Sequence, residues 1–200
     1  MTNRRNWLKS VSGGLVLGTT SLTGLPLAFA QVTSSRRPVP SVDQIRSKGE
    51  EVWKLVDLIN AYRRKHRLEA ITLSPRLTAV AAWHVKDLAE QQPHKTHGSL
   101  HSWSESRRWK GGPFHVGDAD THPVMWDKPR EIADYPAPGF EIAASGIRSL
   151  AHALQVWQGS APHNDVILNR NIWRDHRWQA LGAVYHRGYA CAWFGEEKDD

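Results

Sequence analysis

The sequence predicts an α+β domain in which helices cover both faces of a β-sheet. Apolar residues recur at helical spacing in several stretches, and two strand-like runs near the C-terminal end are joined through Arg187-Gly188. The last of these strands is apolar on both faces, with alternating sets Tyr189, Cys191, Trp193 and Ala190, Ala192, Phe194. A strand that is apolar on both faces has to be covered on both, which requires helices above and below the sheet.

The apolar spacing predicts helices over about residues 50–67, 75–92 and 146–158. Basic residues load the end of the first helix, where the helix dipole favours cations. Ser74-Pro75 supplies a cap and a first-turn proline for the second helix, after a short extended piece at residues 70–73. Residues 93–139 show no sustained period, so we expect a long irregular loop that is functional or mobile.

The N-terminal region has the pattern of an export signal. Paired arginines, Arg4 and Arg5, precede a moderately apolar run that ends in Ala28-Phe29-Ala30. We expect a twin-arginine-like signal peptide over residues 1–30, cleaved after Ala30, and a secreted or periplasmic protein with no membrane span after cleavage. A polar linker is expected over residues 31–49, a single domain over 50–195 and an acidic tail over 196–200.

The charge and cysteine content exclude two further classes. The formal net charge is +6, but three basic residues lie in the predicted signal peptide, so the surplus that remains is only +3. We therefore expect no nucleic-acid partner. The single cysteine, Cys191, can form no internal disulfide and is predicted to be a packing residue rather than a nucleophile.

Two histidines are predicted to point inward from helices. Gly159 and Ser160 mark a helix junction, and His163 falls near the third position of the short helix that follows, on the same face as Val166 and Ile167. A histidine there is pushed toward its neutral form by the helix dipole. His84 lies on the apolar stripe of the second helix and is interpreted as a hydrogen-bonded core histidine.

Three segments in order resemble a known family. They are Leu100-His101-Ser102-Trp103, Gly139-Phe140-Glu141-Ile142-Ala143 and the run WQGSAPHNDVIL over residues 157–168. Together with the opening helix and the two closing strands, they resemble the CAP superfamily of cysteine-rich secretory proteins, antigen 5 and pathogenesis-related 1 proteins, in its bacterial SCP-like form. The resemblance covers about residues 50–195.

The resemblance implies a three-layer α-β-α sandwich with a small central antiparallel sheet, the CAP fold. It also implies a cleft in which His101 matches the first family histidine, Glu141 the glutamate and His163 the second histidine. The second family glutamate falls near Ser160 and is absent, and Ile142 replaces the asparagine of the Gly-Glu-Asn type motif. The interval from His101 to Glu141 is longer than in the plant proteins, so this loop is expected to form a lid or wall over the cleft.

Two imidazoles and a carboxylate are the ligands of a zinc or copper site with an open position for water. His101, His163 and Glu141 are therefore candidate metal ligands, with Ser160 beside them in the cleft. If only the histidines bind metal, Glu141 is free to act as a base. The alternative is a purely structural network in which the carboxylate orients an imidazole.

We expect the protein to bind a divalent metal or a small-molecule, lipid or cell-envelope ligand in this cleft without turnover. Lipid or sterol binding is implied by the resemblance alone. The alternative is a secreted metal-dependent hydrolase that acts on the cell wall or on proteins.

Overall fold

The structure is a computed structural model that describes residues 50–199, with side chains from Trp53 onward. The predicted signal peptide and linker lie outside the described residues. None of the helices within residues 50–199 has both the length and the hydrophobicity that a transmembrane span needs.

Seven α-helices and four strands are present in this region. The helices are α1 (Glu50–Lys65), α2 (Pro75–Glu90), α3 (Pro93–His97), α4 (Pro123–Trp126), α5 (Lys128–Ala133), α6 (Leu150–Gln158) and α7 (Ala161–Ile167). The strands are β1 (Thr72–Leu73), β2 (Gly139–Ser145), β3 (Ala180–His186) and β4 (Tyr189–Gly195). Short 3-10 turns lie at Ala119–Thr121 and Asn171–Trp173.

The four strands form one mixed sheet in the order β1-β3-β4-β2. β4 pairs antiparallel with both of its neighbours, whereas β1 runs parallel to β3. The predicted sheet is therefore small and central but not wholly antiparallel. β1 reaches β3 from a distant part of the chain, with helices between them, and a crossover of this kind can deliver a parallel strand.

The predicted two-sided strand is confirmed in β4. Ala190, Ala192 and Phe194 face a core built with α1, α6 and α7. Cys191 and Trp193 face the opposite core, which α2 and the segment between α2 and β2 complete. The three-layer α-β-α sandwich follows from this division.

Helix α2 lies directly on the sheet because β3 has a glycine beneath it. A Cβ atom placed on Gly182 would lie 2.1 Å from the backbone nitrogen of Thr78 and 2.2 Å from the carbonyl carbon of Leu77. Real Cβ atoms do not approach backbone this closely, so Gly182 sets how near the helix lies. Because of this close approach, the next two turns of α2, which include His84, pack directly against the strands.

The helix ends differ from the predicted ones by a few residues. α1 ends at Lys65 and α2 at Glu90, and α6 begins at Leu150 rather than near residue 146. Gly146 adopts φ +70°, and the Ser149 hydroxyl accepts the His152 N–H as the true N-cap. The spacing of apolar residues does not reveal such capping residues, so the ends of a helix are the least accurate part of a prediction made from spacing.

The prediction of a long irregular loop over residues 93–139 is wrong in part. This segment contains α3, α4, α5 and a 3-10 turn, each too short to show a helical period. It also contributes Trp103, Trp109, Phe114 and Tyr135 to the α2-side core. The segment is thus a packed wall of the domain on that side.

The described residues of the predicted acidic tail pack against the domain. The Asp199 carboxylate accepts hydrogen bonds from the Ser74 hydroxyl and the Arg76 N–H, and it pairs with the Arg76 guanidinium at 2.9 Å. These contacts satisfy the N-terminal end of α2. The tail therefore anchors the same helix that carries His84.

Candidate functional site

The site is built around one buried carboxylate on an edge strand. Strand alternation places Phe140 and Ile142 in the α1-side core, so Glu141 between them faces α2, with a fully buried side chain. A carboxylate removed from water in this way is stable only when it is well paired.

Two imidazoles bind the two oxygens of Glu141. His84 Nδ1 contacts Oε1, and His101 Nδ1 contacts Oε2 at 2.8 Å. Burial alone would raise the pKa of Glu141, but the charge of His84 and the hydrogen bonds from His101 and His84 outweigh it and lower the pKa to about 2. Glu141 is therefore ionised at every physiological pH.

His84 is held from all sides inside the α2 layer. Its ring stacks on Trp103 with the centroids 4.1 Å apart and the planes 11° from parallel. Its Nε2 lies 3.3 Å from the Ser102 carbonyl oxygen, while Nδ1 faces Glu141. Each ring nitrogen therefore faces an oxygen that can accept a hydrogen bond. The prediction of a hydrogen-bonded core histidine is confirmed, and its partner is Glu141.

His101 connects the buried pair to the surface. Its side chain is 20% exposed, and its ring packs edge-on against Phe114, with centroids 5.3 Å apart. Because His101 Nδ1 is hydrogen-bonded to Glu141, its N–H points at the carboxylate. The other ring nitrogen, Nε2, is not engaged by Glu141. Nε2 makes no hydrogen bond with any residue in the described part of the chain.

His163 lies at the third position of α7, as predicted. Burial lowers its pKa, the charge of His101 lowers it further, and the charge of Glu141 raises it. The direction agrees with the predicted neutral imidazole, although burial rather than the helix dipole is the leading cause. Its Nδ1 is buried and has no hydrogen-bond partner among the described residues.

Ser160 occupies the N-cap position of α7 with an extended backbone, as predicted, but its hydroxyl makes no capping hydrogen bond. Among the described residues, this hydroxyl makes no hydrogen bond with His101, Glu141 or His163. The structure thus brings His101 and Glu141 into direct contact and places His163 within their electrostatic reach. The role of Ser160 stays a prediction.

Cys191 lies beneath the buried pair. Its Sγ is 3.8 Å from His84 Nδ1, and burial together with the charge of Glu141 raises the pKa of the thiol well above its usual value. An inert thiol is consistent with the predicted packing role. Donor atoms of His84, Glu141 and Cys191 all lie within 4.8 Å of one another, and within residues 50–199 this is the one such group of three possible metal ligands.

A series of aromatic rings in contact starts at His101. Contacts of 4.5–6.0 Å between ring centroids connect His101, Phe114, His122, Trp126, Phe140 and Trp173 in series. The first four come from the segment between α2 and β2, and its predicted role as a lid or wall over the cleft stays a prediction. A groove of about 850 Å³ lies elsewhere, between α1 and α6, and touches none of the predicted site residues.

Sequence reasoning placed His84 in the core but missed that it belongs to the site. A signal was present: a histidine on the apolar stripe of one helix and a glutamate inside an apolar strand are two buried polar groups of opposite charge. Each needs a partner, and each is the natural partner of the other.

The comparisons with known proteins agree with this fold. Residues 56–192, well over half of the chain, match the family model described as CAP, the cysteine-rich secretory protein family. The comparison with curated proteins gave no match.

The similar solved structures include the following three. An extracellular protein containing an SCP domain from Bacillus anthracis aligns with TM-score 0.52 and 18% identity, over 79% of this chain and 44% of that one. A cysteine-rich secretory protein from Staphylococcus aureus has TM-score 0.47 and 13% identity, over 74% of this chain and 39% of that one. An outer surface protein from Borrelia burgdorferi has TM-score 0.47 and 19% identity, over 72% of this chain and 91% of that one.

This chain therefore spans less than half the length of the first two of these proteins. The Bacillus anthracis structure supports the shared fold, and the family match covers the segments that carry His101, Glu141 and His163. The chain belongs to the CAP family of cysteine-rich secretory proteins.

Proposed function

We propose that this protein binds a divalent metal ion, zinc or copper, through the imidazoles of His101 and His163. The observation that carries the proposal is the buried Nδ1 of His163, which has no partner among the described residues although His101 and Glu141 lie close enough to alter its pKa. A buried ring nitrogen without a partner is costly, and a metal ion would satisfy it.

Glu141 is assigned an orienting role. It accepts a hydrogen bond from His101 Nδ1, which fixes the ring and leaves Nε2 as a lone-pair donor. A carboxylate behind a metal-binding histidine is a common arrangement in metal sites. The family resemblance implies that Glu141 binds the metal directly. To do so, one of its carboxylate oxygens would have to break its hydrogen bond with His84 or His101.

The deeper group of His84, Glu141 and Cys191 fits a metal less well, although its donor atoms are close together. His84 Nδ1 and Glu141 Oε1 are in hydrogen-bond contact, so a proton occupies the space between them. The thiol must lose its proton to bind a metal, and burial opposes that loss. All three side chains are buried, whereas His101 is partly exposed.

A metal ion bound by two imidazoles keeps open positions and can polarise a ligand or activate water. The chain's own part is to hold His101 by Glu141, to keep His163 neutral by burial, and to line the entrance with aromatic rings. We propose that binding takes place outside the cytoplasm. The predicted signal peptide supports this location, and so does the extracellular description of the similar Bacillus anthracis protein.

Calorimetric titration of the chelator-treated protein with zinc and with copper tests the proposal. We expect His101→Ala and His163→Ala each to weaken binding by at least about 100-fold. Removal of a residue that binds the metal directly costs more affinity than removal of a residue that only orients such a ligand. His115→Ala, an exposed histidine on the neighbouring loop, is the matched control and should leave binding unchanged.

Cys191→Ser distinguishes the two groups of ligands. We expect this variant to bind metal like the wild type. Unchanged affinity in both His101→Ala and His163→Ala would rule out the proposal, and loss of affinity in Cys191→Ser would move the ion to the deeper group. Assays of the same zinc-loaded protein on peptidoglycan and casein test the hydrolase alternative.

A further inference from the structure

A cluster of exposed cations lies where the end of α1 meets the segment after α7. We define this basic patch as Lys65, His66, Arg67, Arg170, Arg174 and Arg177, all of which are exposed. We propose that the basic patch binds a polyanion, namely a phosphate polymer other than a nucleic acid. This site is separate from the His101/His163 cleft and does not depend on the proposed metal.

The positive charge of the patch is much higher than the net charge of the domain as a whole. Over residues 50–200, Lys plus Arg and Asp plus Glu are equal in number, at nineteen each. Five of the nineteen cations fall in the patch, whereas the stretches 65–69 and 170–177 contain two acids, Glu69 and Asp175. A domain with no net charge but a cationic surface of this kind attracts anions to that surface.

None of the five cations forms an ion pair with a described carboxylate. Two further acids lie beside the patch. Glu196 Oε1 accepts the Arg177 backbone N–H at 3.2 Å and lies 3.2 Å from His176 Nδ1, and the half-buried Asp165 accepts a hydrogen bond from Asn171 Nδ2 at 2.6 Å. Arg177 Nη1 donates to the carbonyls of Arg174 and His176, each at 3.2 Å, but none of the five charges is neutralised by a carboxylate among the described residues. Four of the five cations are arginines, whose planar forks match phosphate oxygens in pairs.

The buried side chain of Arg63 holds the two parts of the patch together. Its Nη1 donates to Asn169 Oδ1 at 2.7 Å and to the Ile167 carbonyl, and its Nε donates to the Glu69 carbonyl at 3.0 Å. Burial lowers the pKa of Arg63 to about 10, so it remains charged at neutral pH. The patch is therefore fixed before a ligand arrives, which reduces the entropy lost on binding.

Asn169 extends this connection into the second stretch. Its Nδ2 donates to the His176 carbonyl at 3.1 Å, and Arg170 Nη2 lies 3.5 Å from His66 Nδ1. Residues on both sides of Trp173 are thus tied to the end of α1.

An arginine, Arg67, occupies a backbone position after the end of α1 where glycine is usual. Leu68 N–H bonds to the Arg63 carbonyl and Arg67 N–H to the Arg64 carbonyl, which together form a Schellman ending of α1. Arg67 occupies the left-handed position of this motif, with φ +61°. A non-glycine residue there costs on the order of 1 kcal/mol. Retaining a cation at such a position adds to the charge of the patch at the expense of helix-end stability.

The surface favours a polymer over a membrane. Ile172, which is 81% exposed, is the one large apolar side chain exposed within the described stretch 170–177. A single apolar side chain is ordinary on a protein surface and gives little insertion into a bilayer. Charge, rather than apolar area, therefore dominates the patch.

Binding of labelled long-chain polyphosphate to the full chain, measured by fluorescence anisotropy at several salt concentrations, tests the proposal. We expect the triple variant Arg67→Gln, Arg170→Gln, Arg174→Gln to raise the Kd at least about tenfold at low salt. The slope of log affinity against log salt should become shallower by about 2, because three phosphate contacts are lost.

The matched control removes the same charge elsewhere, by Lys95→Gln, Arg107→Gln and Lys198→Gln, all at exposed positions. The control should change the Kd less than about twofold. Equal weakening in both triple variants would show that net charge alone is responsible and would overturn the proposal. Absence of polyphosphate binding would also overturn it, as would binding to phosphatidylglycerol vesicles but not to polyphosphate.

Discussion

Replacement of Glu141 by alanine is expected to lower the free energy of unfolding by about 3–5 kcal/mol, since it leaves His84 buried without its counter-charge. His84 has no exposed surface, and its other nitrogen reaches only the Ser102 carbonyl. For a domain of this size the midpoint of thermal unfolding should fall by about 10 °C. Urea unfolding of the chelator-treated protein measures the change directly.

Two variants calibrate this result. Glu141→Gln keeps the shape and one acceptor oxygen, so we expect an intermediate loss. Glu90→Ala removes an exposed carboxylate paired with Lys86 and should change stability by less than about 0.5 kcal/mol. A loss below about 1 kcal/mol in Glu141→Ala would contradict the assigned role of the carboxylate.

The same contribution should depend on pH with a defined sign. The pKa of Glu141 is about 2 in the folded protein, below the ordinary value of 4.5. A carboxyl group whose pKa is lower in the folded protein than in the unfolded chain stabilises the fold at every pH above its unfolded-state pKa. The contribution of Glu141 is therefore complete above about pH 5. It is lost as the pH falls from about 4.5 toward 2, and the difference between wild type and Glu141→Gln should shrink over that range.

Zinc affinity is expected to fall as the pH drops through the histidine range, because a protonated imidazole cannot bind a metal. The pKa of His163 lies below its usual value of 6.5, since burial disfavours the charged ring. Its proton therefore competes with zinc only in mildly acidic solution. Each displaced proton contributes up to about one decade of affinity per pH unit.

Calorimetric titrations at several values between about pH 7.5 and pH 5 test this prediction. Cys191→Ser should show the same pH dependence as the wild type. An affinity that stays flat over the interval would mean that no histidine in this pH range binds the metal.

The layers of the fold could be predicted because they depend on local patterns. The alternation of Ala192 and Trp193 in β4 showed that the sheet is covered on both faces, and Gly159 with Ser160 placed His163 correctly on α7. The parallel pairing of β1 with β3 could not be predicted in this way, because a two-residue strand carries no period of its own.

The site was only half predictable for a related reason. His101, Glu141 and His163 were found through family motifs, whereas His84 lies 57 positions before Glu141 in a segment without a motif. Its inward position was visible, but its partner depends on how closely α2 approaches β3 at Gly182. The basic patch was missed because its two parts are joined by the contact between Arg63 and Asn169, which no local pattern predicts.

We propose that zinc binds to His101 and His163 while Glu141 holds His84 and His101. Proton–nitrogen correlation spectra of the imidazole rings, recorded during titration with zinc, test it most directly. We predict large shifts of His101 Nε2 and of a ring nitrogen of His163, with the nitrogens of His84 unchanged. Shifts centred on His84, or no imidazole shift at saturating zinc, would contradict it.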